Sequence, residues 1–266
     1  MGGKVYIVGA GPGAPDLLTI RAARLLHRAE VVLHDDLVPA AVLELAPPAA
    51  HILNVGKRCG QEGSSQEKIN ALMIWHARNG STVVRLKSGD PAIFGRLGEE
   101  LDALQHAAVE FEVVPGVTAA SAAAAVAGLT LTDRRAASAV AFVTAHSSRN
   151  KPLTSGILDT GGATYVVYMP GPDYGETARN LLRAGIDANT PCALVSQAGR
   201  LNGQACRMTV ADLPFATGVL APALLIVGKV SQRESVQRAP TSCQDALRLD
   251  TRDQEPVSPL QWKAPA

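Results

Sequence analysis

The hydrophobic period changes several times along the chain, and each change marks an expected element. Val5–Val8 is a continuous apolar run of the length of a buried strand. Leu17, Leu18, Ile20, Ala23, Leu25 and Leu26 then recur at helical spacing, and Val31–Leu33 returns to a strand. Pro39 predicts a short helix through Leu45, because proline suits the first helical position. "HILNVGKRCG" reads as a strand entering a glycine-bearing loop. Ser64 and Glu67 have the spacing of a capping box for a helix over Gln66–Arg78, which Asn79-Gly80 closes. Strand Thr82–Leu86, a helix starting between Gly95 and Gly98, strand Phe111–Val114 and the alanine-rich helix Ala119–Ala127 complete the first half. Strands separated by helices of this length predict right-handed crossovers and a mostly parallel sheet covered on both faces.

The texture changes after "LTLTDRRAAS". Ala139–Thr144, Thr164–Tyr168, Cys192–Ser196, Gln204–Thr209 and Leu224–Val227 have strand character, with fewer helices between them and glycine turns at Gly161-Gly162, Gly171 and Gly175. The expected organisation is therefore two α/β domains, residues 1–134 and 135–234, the second with more antiparallel pairing. A stretch rich in Pro, Gln, Ser and charge, residues 235–266, is expected to be a disordered tail in which Trp262 is incidental.

Composition narrows the functional classes. The chain has 266 residues, 47% of them hydrophobic and 18% charged, with a formal net charge of +1. That is a globular composition with no global bias toward polyanions, so no nucleic-acid partner is expected. Cys59, Cys192, Cys206 and Cys243 are scattered without metal spacing, and the expectation is reduced thiols and no metal. The N-terminus lacks a signal-peptide core, and the longest apolar stretch, Val117–Leu131, is too short and Ala-rich to span a bilayer. A cytoplasmic protein without a membrane partner is expected.

Ligands of open parallel sheets sit beyond the carboxyl ends of the strands. The candidate loops are thus "GAGPGAPD", "HDDLVP", "VGKRCG", "SGDPAIFGR" and "PGVTAAS". The first satisfies G-x-G-x-x-A through Gly9, Gly11 and Ala14, with Asp35 and Asp36 at the distance of a ribose-binding acid. Two features oppose a pyrophosphate cradle. Pro12 removes an N–H where donors are needed, and Pro15 with Asp16 delays the helix and places a carboxylate at its start. In "SGDPAIFGR", Asp90 either initiates a turn by bonding its own backbone or presents a carboxylate to a cationic or ribose-bearing ligand. Arg96 and Glu99 form either a surface ion pair or part of a cleft.

"VGAGPGAPDLLT", "HDDLV", "VGKRCG", "VVRLKSGDPAIFGRLGEE", "VVPGVTAASAAAAVAGLTLT" and "VTAH", followed by "YVVYM", "TPCALVSQAG" and "APALLIVGKV", resemble uroporphyrinogen-III C-methyltransferases in order and spacing, over residues 3 to 231. The resemblance implies two α/β domains with the active site between them, and a homodimer. It also implies S-adenosylmethionine as methyl donor, two successive methylations of uroporphyrinogen III, and precorrin-2 as the product feeding sirohaem and cobalamin. By matching motif positions it implies cofactor contacts at Pro12, Ser88, Gly89, Asp90, Ile93, Thr118, Ala119, Met169 and Ala198. It further implies Asp35 as proton acceptor, Lys57 as proton donor, and Arg96 and Glu99 in the substrate cleft. A sulfonium-bearing nucleoside without phosphate suits backbone carbonyls, Asp90 and small residues better than a helix N-terminus. Lys57, Arg58, Arg96 and Arg134 are candidate partners for substrate carboxylates, with Arg96 the main orienting residue.

The sequence departs from the common pattern of that family at several points. Ser88 stands for a glycine in "KSGD", Leu97 for a glycine in "GRLGEE", Asp36 for an arginine in "HDDLV", and Ala198 for a glycine in "SQAG". These departures keep two alternatives open, a methyltransferase for a later precorrin and an inactive cofactor-binding homologue; the opening glycine motif separately leaves a nicotinamide-dependent oxidoreductase or nucleotide-binding regulator.

Overall fold

A computed structural model describes residues 2–56, 65–145 and 162–232. Lys57, Arg58, Cys59, Ser64, Cys243 and the segment 235–266 with Trp262 lie outside the described residues.

The apolar runs of the first half form β1 (Lys4–Gly9), β2 (Val31–His34), β3 (His51–Asn54), β4 (Val83–Lys87) and β5 (Glu110–Val114). They pair in the order β3-β2-β4-β1-β5, and every pairing is parallel. Side-chain alternation splits the sheet into two buried faces. Val8, Val32, Val84, Leu86 and Val114 pack with Ala22 and Leu26 of α1 (Ile20–Leu26) and Val42 of α2 (Ala40–Leu43). Val5, Ile7, Val31, Leu33 and Val83 pack with Ile69, Met73 and Ala77 of α3 (Gln66–Arg78) and Leu104 of α4 (Leu97–His106).

This topology fixes where a ligand goes. The chain leaves β1 through α1 toward β2, and leaves β4 through α4 toward β5, on opposite sides of the sheet. Neighbouring strands whose connections diverge open a crevice at their carboxyl ends. Here those strands are β1 and β4.

The second sheet contains β6 (Ala139–Thr144), β7 (Ala163–Tyr168), β8 (Pro191–Ser196), β9 (Gln204–Thr209) and β10 (Ala223–Val227). Its order is β6-β7-β10-β8-β9, with β6 parallel to β7 and the other pairs antiparallel, so the sheet is mixed. Helix α5 (Ala119–Ala127) follows β5 in the chain but packs on this second sheet. Ala120, Ala123 and Ala127 lie among Val166, Ala193, Val195 and Ile226, because methyl-sized side chains let the helix approach closely.

Three local readings differ from the expectations. The helix expected from Leu17 begins at Ile20, where Thr19 Oγ1 accepts a hydrogen bond from Ala22 N at 3.1 Å; Pro15–Leu17 is a separate 3-10 turn. Ser65 caps α3, one position later than expected, accepting from Lys68 N at 3.2 Å. Helix α6 (Tyr174–Arg183), capped by Asp173, was not anticipated.

Candidate active site

The carboxyl ends of β1, β4 and β5 meet through glycine backbone. Gly11 and Gly89 exchange both amide bonds, Gly89 N to Gly11 O at 2.7 Å and Gly11 N to Gly89 O at 3.2 Å. A Cβ on Gly9 would lie 2.6 Å from Gly116 Cα, and one on Gly116 would collide with the Gly89 carbonyl. Only glycine permits three strand ends this close. Gly89 differs: its φ is +67°, and the nearest atom to an added Cβ is Ala119 N at 3.8 Å. That open space lies next to the start of α5 and is bordered by bare backbone.

Asp90 locks this arrangement. Its Oδ1 accepts from Ala92 N at 2.9 Å and its Oδ2 from Gly116 N at 3.0 Å, while Ile93 N donates to its carbonyl at 3.2 Å. The turn-forming alternative for Asp90 is thus realised, and it also ties the β4 loop to the β5 loop. Beside it, the Ser88 hydroxyl is enclosed and bonds no partner among the described residues. An unpaired buried hydroxyl costs free energy unless a ligand or water satisfies it.

The second sheet closes the crevice. Thr118, the cap residue of α5, shares a hydrogen bond with the Tyr168 hydroxyl at the end of β7, and Ala120 N donates to the same oxygen at 3.3 Å. Burial above all raises the Tyr168 pKa, against the lowering effect of the Thr118 and Ala120 bonds, so the phenol stays protonated. Phe94 of the β4 loop lies 5.0 Å from the Tyr168 ring, centre to centre. At the end of β8, Ala198 is buried against α5, and Ala14 N donates to Gly199 O at 2.6 Å. A Cβ on Gly199 would lie 2.6 Å from Pro12 Cβ, so the first loop is clamped between the halves. Phe94, Arg96, Met169 and Gln197 all have positive φ (51–55°), a strained state for non-glycine residues that concentrates in these loops.

Pro12, Ser88, Gly89, Asp90, Ile93, Thr118, Ala119, Met169 and Ala198 therefore fall on the five converging loops after β1, β4, β5, β7 and β8, Ala119 as the first residue of α5. The pyrophosphate alternative gains no support: α1 starts at Ile20, well beyond Gly11–Ala14. Arg96 and Glu99 stand apart at the start of α4, in an exposed bidentate pair at 2.7 and 2.6 Å. Hydrogen bonding to Glu99 raises the Arg96 pKa, and the same bond lowers that of Glu99.

Beneath the loops lies a charged cluster that the sequence reasoning missed. Arg85, Lys87 and Glu100 are buried, and Asp35 lies at its rim with 30% of its side chain exposed. Arg85 Nε donates to Glu100 Oε1 at 2.9 Å, a terminal Arg85 nitrogen pairs with Asp35 Oδ1, and Lys87 Nζ is 2.9 Å from Glu100. Two cations face two carboxylates. Burial opposes charge on Arg85, but Asp35 and Glu100 outweigh it and its pKa is raised. For Lys87, burial and then the Arg85 charge prevail, and its pKa is lowered. The signal was present: Arg85 and Lys87 alternate onto one face of a fully covered sheet, which demands a buried acid.

The family model for Tetrapyrrole (Corrin/Porphyrin) Methylases matches residues 4–214. The chain belongs to the tetrapyrrole methylases. It is 43% identical over 235 residues to a uroporphyrinogen-III C-methyltransferase of Pseudomonas aeruginosa, covering 87% of this chain and 96% of that one. It is 45% identical over 237 residues to a siroheme synthase of Pseudomonas putida, covering 87% of this chain and about half (51%) of that longer protein. Among solved structures it matches the uroporphyrin-III C-methyl transferase of Thermus thermophilus complexed with S-adenyl homocysteine. The TM-score is 0.74 at 40% identity, covering 86% of this chain and 99% of that chain. As a tetrapyrrole methylase the chain is a methyltransferase, and its paired parallel and mixed sheets are the family's fold. No helix among the described residues is long and apolar enough to cross a membrane.

Proposed function

We propose that this methylase transfers two methyl groups in succession from S-adenosylmethionine to pyrrole carbons of uroporphyrinogen III, giving precorrin-2. The observation that carries the reading is the open glycine cradle at Gly89, roofed by Thr118 and the end of β7, in a chain that covers nearly all of a uroporphyrinogen-III C-methyltransferase. The cradle fits the cofactor: it offers bare carbonyls, an enclosed Ser88 hydroxyl without a partner among the described residues, and a first helix that starts only at Ile20.

When bound, S-adenosylmethionine would supply an activated methyl, whose S–CH3 bond would break as the C–CH3 bond forms, with the electron pair staying on sulfur. The protein's contribution is alignment and exclusion of water. Pro12, Ser88, Gly89, Asp90, Ile93, Thr118, Ala119, Met169 and Ala198 hold the nucleoside and its amino-acid arm. Asp90 acts through the backbone it orders, since both of its oxygens already accept amide bonds. Asp35 takes the proton that the methylated macrocycle must release. Lys57, outside the described residues, is the candidate proton donor. Arg96 orients substrate carboxylates, exchanging its Glu99 contact for them; a guanidinium suits that task and is a poor proton carrier.

The reading also takes the enzyme to be a cytoplasmic homodimer of two α/β domains (1–134 and 135–234) that needs no metal, nucleic acid or membrane. Calorimetric titration tests its first step: S-adenosylmethionine and S-adenosylhomocysteine bind and nicotinamide dinucleotide does not. Binding of the dinucleotide alone would overturn the reading.

A further inference from the structure

Arg85 takes no part in the methyl transfer described above, yet it is a buried guanidinium with all its nitrogens engaged. Nε bonds Glu100, one terminal nitrogen pairs with Asp35, and the other donates to Leu33 O at 3.3 Å and to Leu86 O at 3.4 Å. Glu100 has no exposed surface and is held from two further directions, by Lys87 at 2.9 Å and by Gln66 Nε2 at 3.4 Å. Arg85 is thus fixed to α4 at one end of its fork and to the β2 loop at the other.

We infer that Arg85 is a positioning residue that holds the Asp35 carboxylate at the rim of the cleft, with Glu100 as its anchor. The inference rests on Asp35 being the proton acceptor. Three observations carry it. The charges occupy the carboxyl half of β4, from Arg85 to Lys87, while Val83 at the start of the same face is apolar and packs with α3 and α4. Buried ion pairs are poor general stabilisers, so simple packing of β4 against α4 does not require them. Finally, Asp35 receives Arg85 on Oδ1 and only a long 3.4 Å bond from Ser88 N on Oδ2, which leaves the second oxygen for a substrate proton. Lysine, with a single ammonium, cannot bridge Glu100 and Asp35 in the same fork.

A double-mutant cycle tests this with native enzyme, Asp35→Asn, Arg85→Lys and the double variant. The readouts are the single-turnover rate of the first methyl transfer, KM for uroporphyrinogen III, S-adenosylmethionine affinity and the thermal midpoint. Arg85→Lys should slow the single turnover about tenfold or more with KM and cofactor affinity within about twofold, and the double variant should be no slower than Asp35→Asn within about twofold. If the two losses multiply, or if Arg85→Lys turns over like native enzyme, the positioning role is wrong and the proton-acceptor reading stands. A native rate in Asp35→Asn overturns the proton-acceptor reading, and the positioning role falls with it. Should Arg85→Lys fail to fold, Glu100→Gln replaces it in the same cycle: non-additivity with Asp35→Asn supports the role, and additivity overturns it.

Discussion

The hydroxyls of Thr118 and Tyr168 are hydrogen-bonded to each other across the junction between α5 and the end of β7. Fifty positions separate them in sequence, and the bond joins the loop after the first sheet to the carboxyl end of β7 in the second. It holds the backbone at Thr118–Ala119 over the Gly89 space. Tyr168→Phe removes the bond together with the one from Ala120 N. A lost neutral hydrogen bond costs about 1 kcal/mol of folding free energy, so the thermal midpoint should fall by a few degrees, and cofactor affinity should fall severalfold because Thr118–Ala119 is no longer held over the Gly89 space. A melting curve measures the first and calorimetry with S-adenosylhomocysteine the second.

The glycines separate stability from binding. Gly116→Ala drives a methyl into the Gly89 carbonyl, and overpacking of this kind costs about 1–3 kcal/mol, so the melting midpoint should drop by several degrees. At Gly89 an added methyl meets nothing nearer than 3.8 Å, and the strain comes from φ +67° alone, about 1 kcal/mol. Gly89→Ala should therefore fold and lose cofactor affinity by about tenfold or more, because its methyl fills the cradle. Equal melting losses in the two variants, with affinity kept at Gly89, would place the cofactor elsewhere.

Arg96→Ala should abolish turnover and leave cofactor affinity nearly intact. The Arg96–Glu99 pair is half-exposed, and such pairs contribute about 0–1 kcal/mol, so the fold should not notice the loss. If cofactor affinity collapses together with turnover, Arg96 serves the cofactor rather than the substrate.

Burial, followed by the nearby Asp212 and Cys206, pushes the Cys192 thiol from an ordinary value near 9 up to about 12. The folded state disfavours the thiolate, so stability falls as pH rises above about 9, and the loss continues until the folded thiol itself ionises near 12. Iodoacetamide at pH 8 should spare Cys192 in the native protein and modify it only in denaturant. Peptide mass mapping reads this directly.

Much of the fold was legible because apolar periodicity and burial agree. Gln66–Arg78, Ala119–Ala127, Ala139–Thr144 and Gln204–Thr209 all match their expected spans. The converging loops were legible for a different reason: glycine and proline clusters mark strand ends, and Pro12 already argued against a phosphate cradle. What stayed hidden depends on tertiary neighbours. Glu99 and Glu100 are adjacent in sequence, and only the phase of α4 against the sheet makes one exposed and the other fully buried beside Arg85 and Lys87. Likewise, no local pattern says that α5 packs on the sheet that follows it rather than on the one it leaves.

The most direct measurement incubates the purified protein anaerobically with S-adenosylmethionine and uroporphyrinogen III and follows the tetrapyrrole by mass and absorbance. The expected product carries two added methyl groups and the absorbance of precorrin-2, with one S-adenosylhomocysteine released per methyl. An unmethylated tetrapyrrole recovered from a protein that binds S-adenosylmethionine would contradict the proposed function.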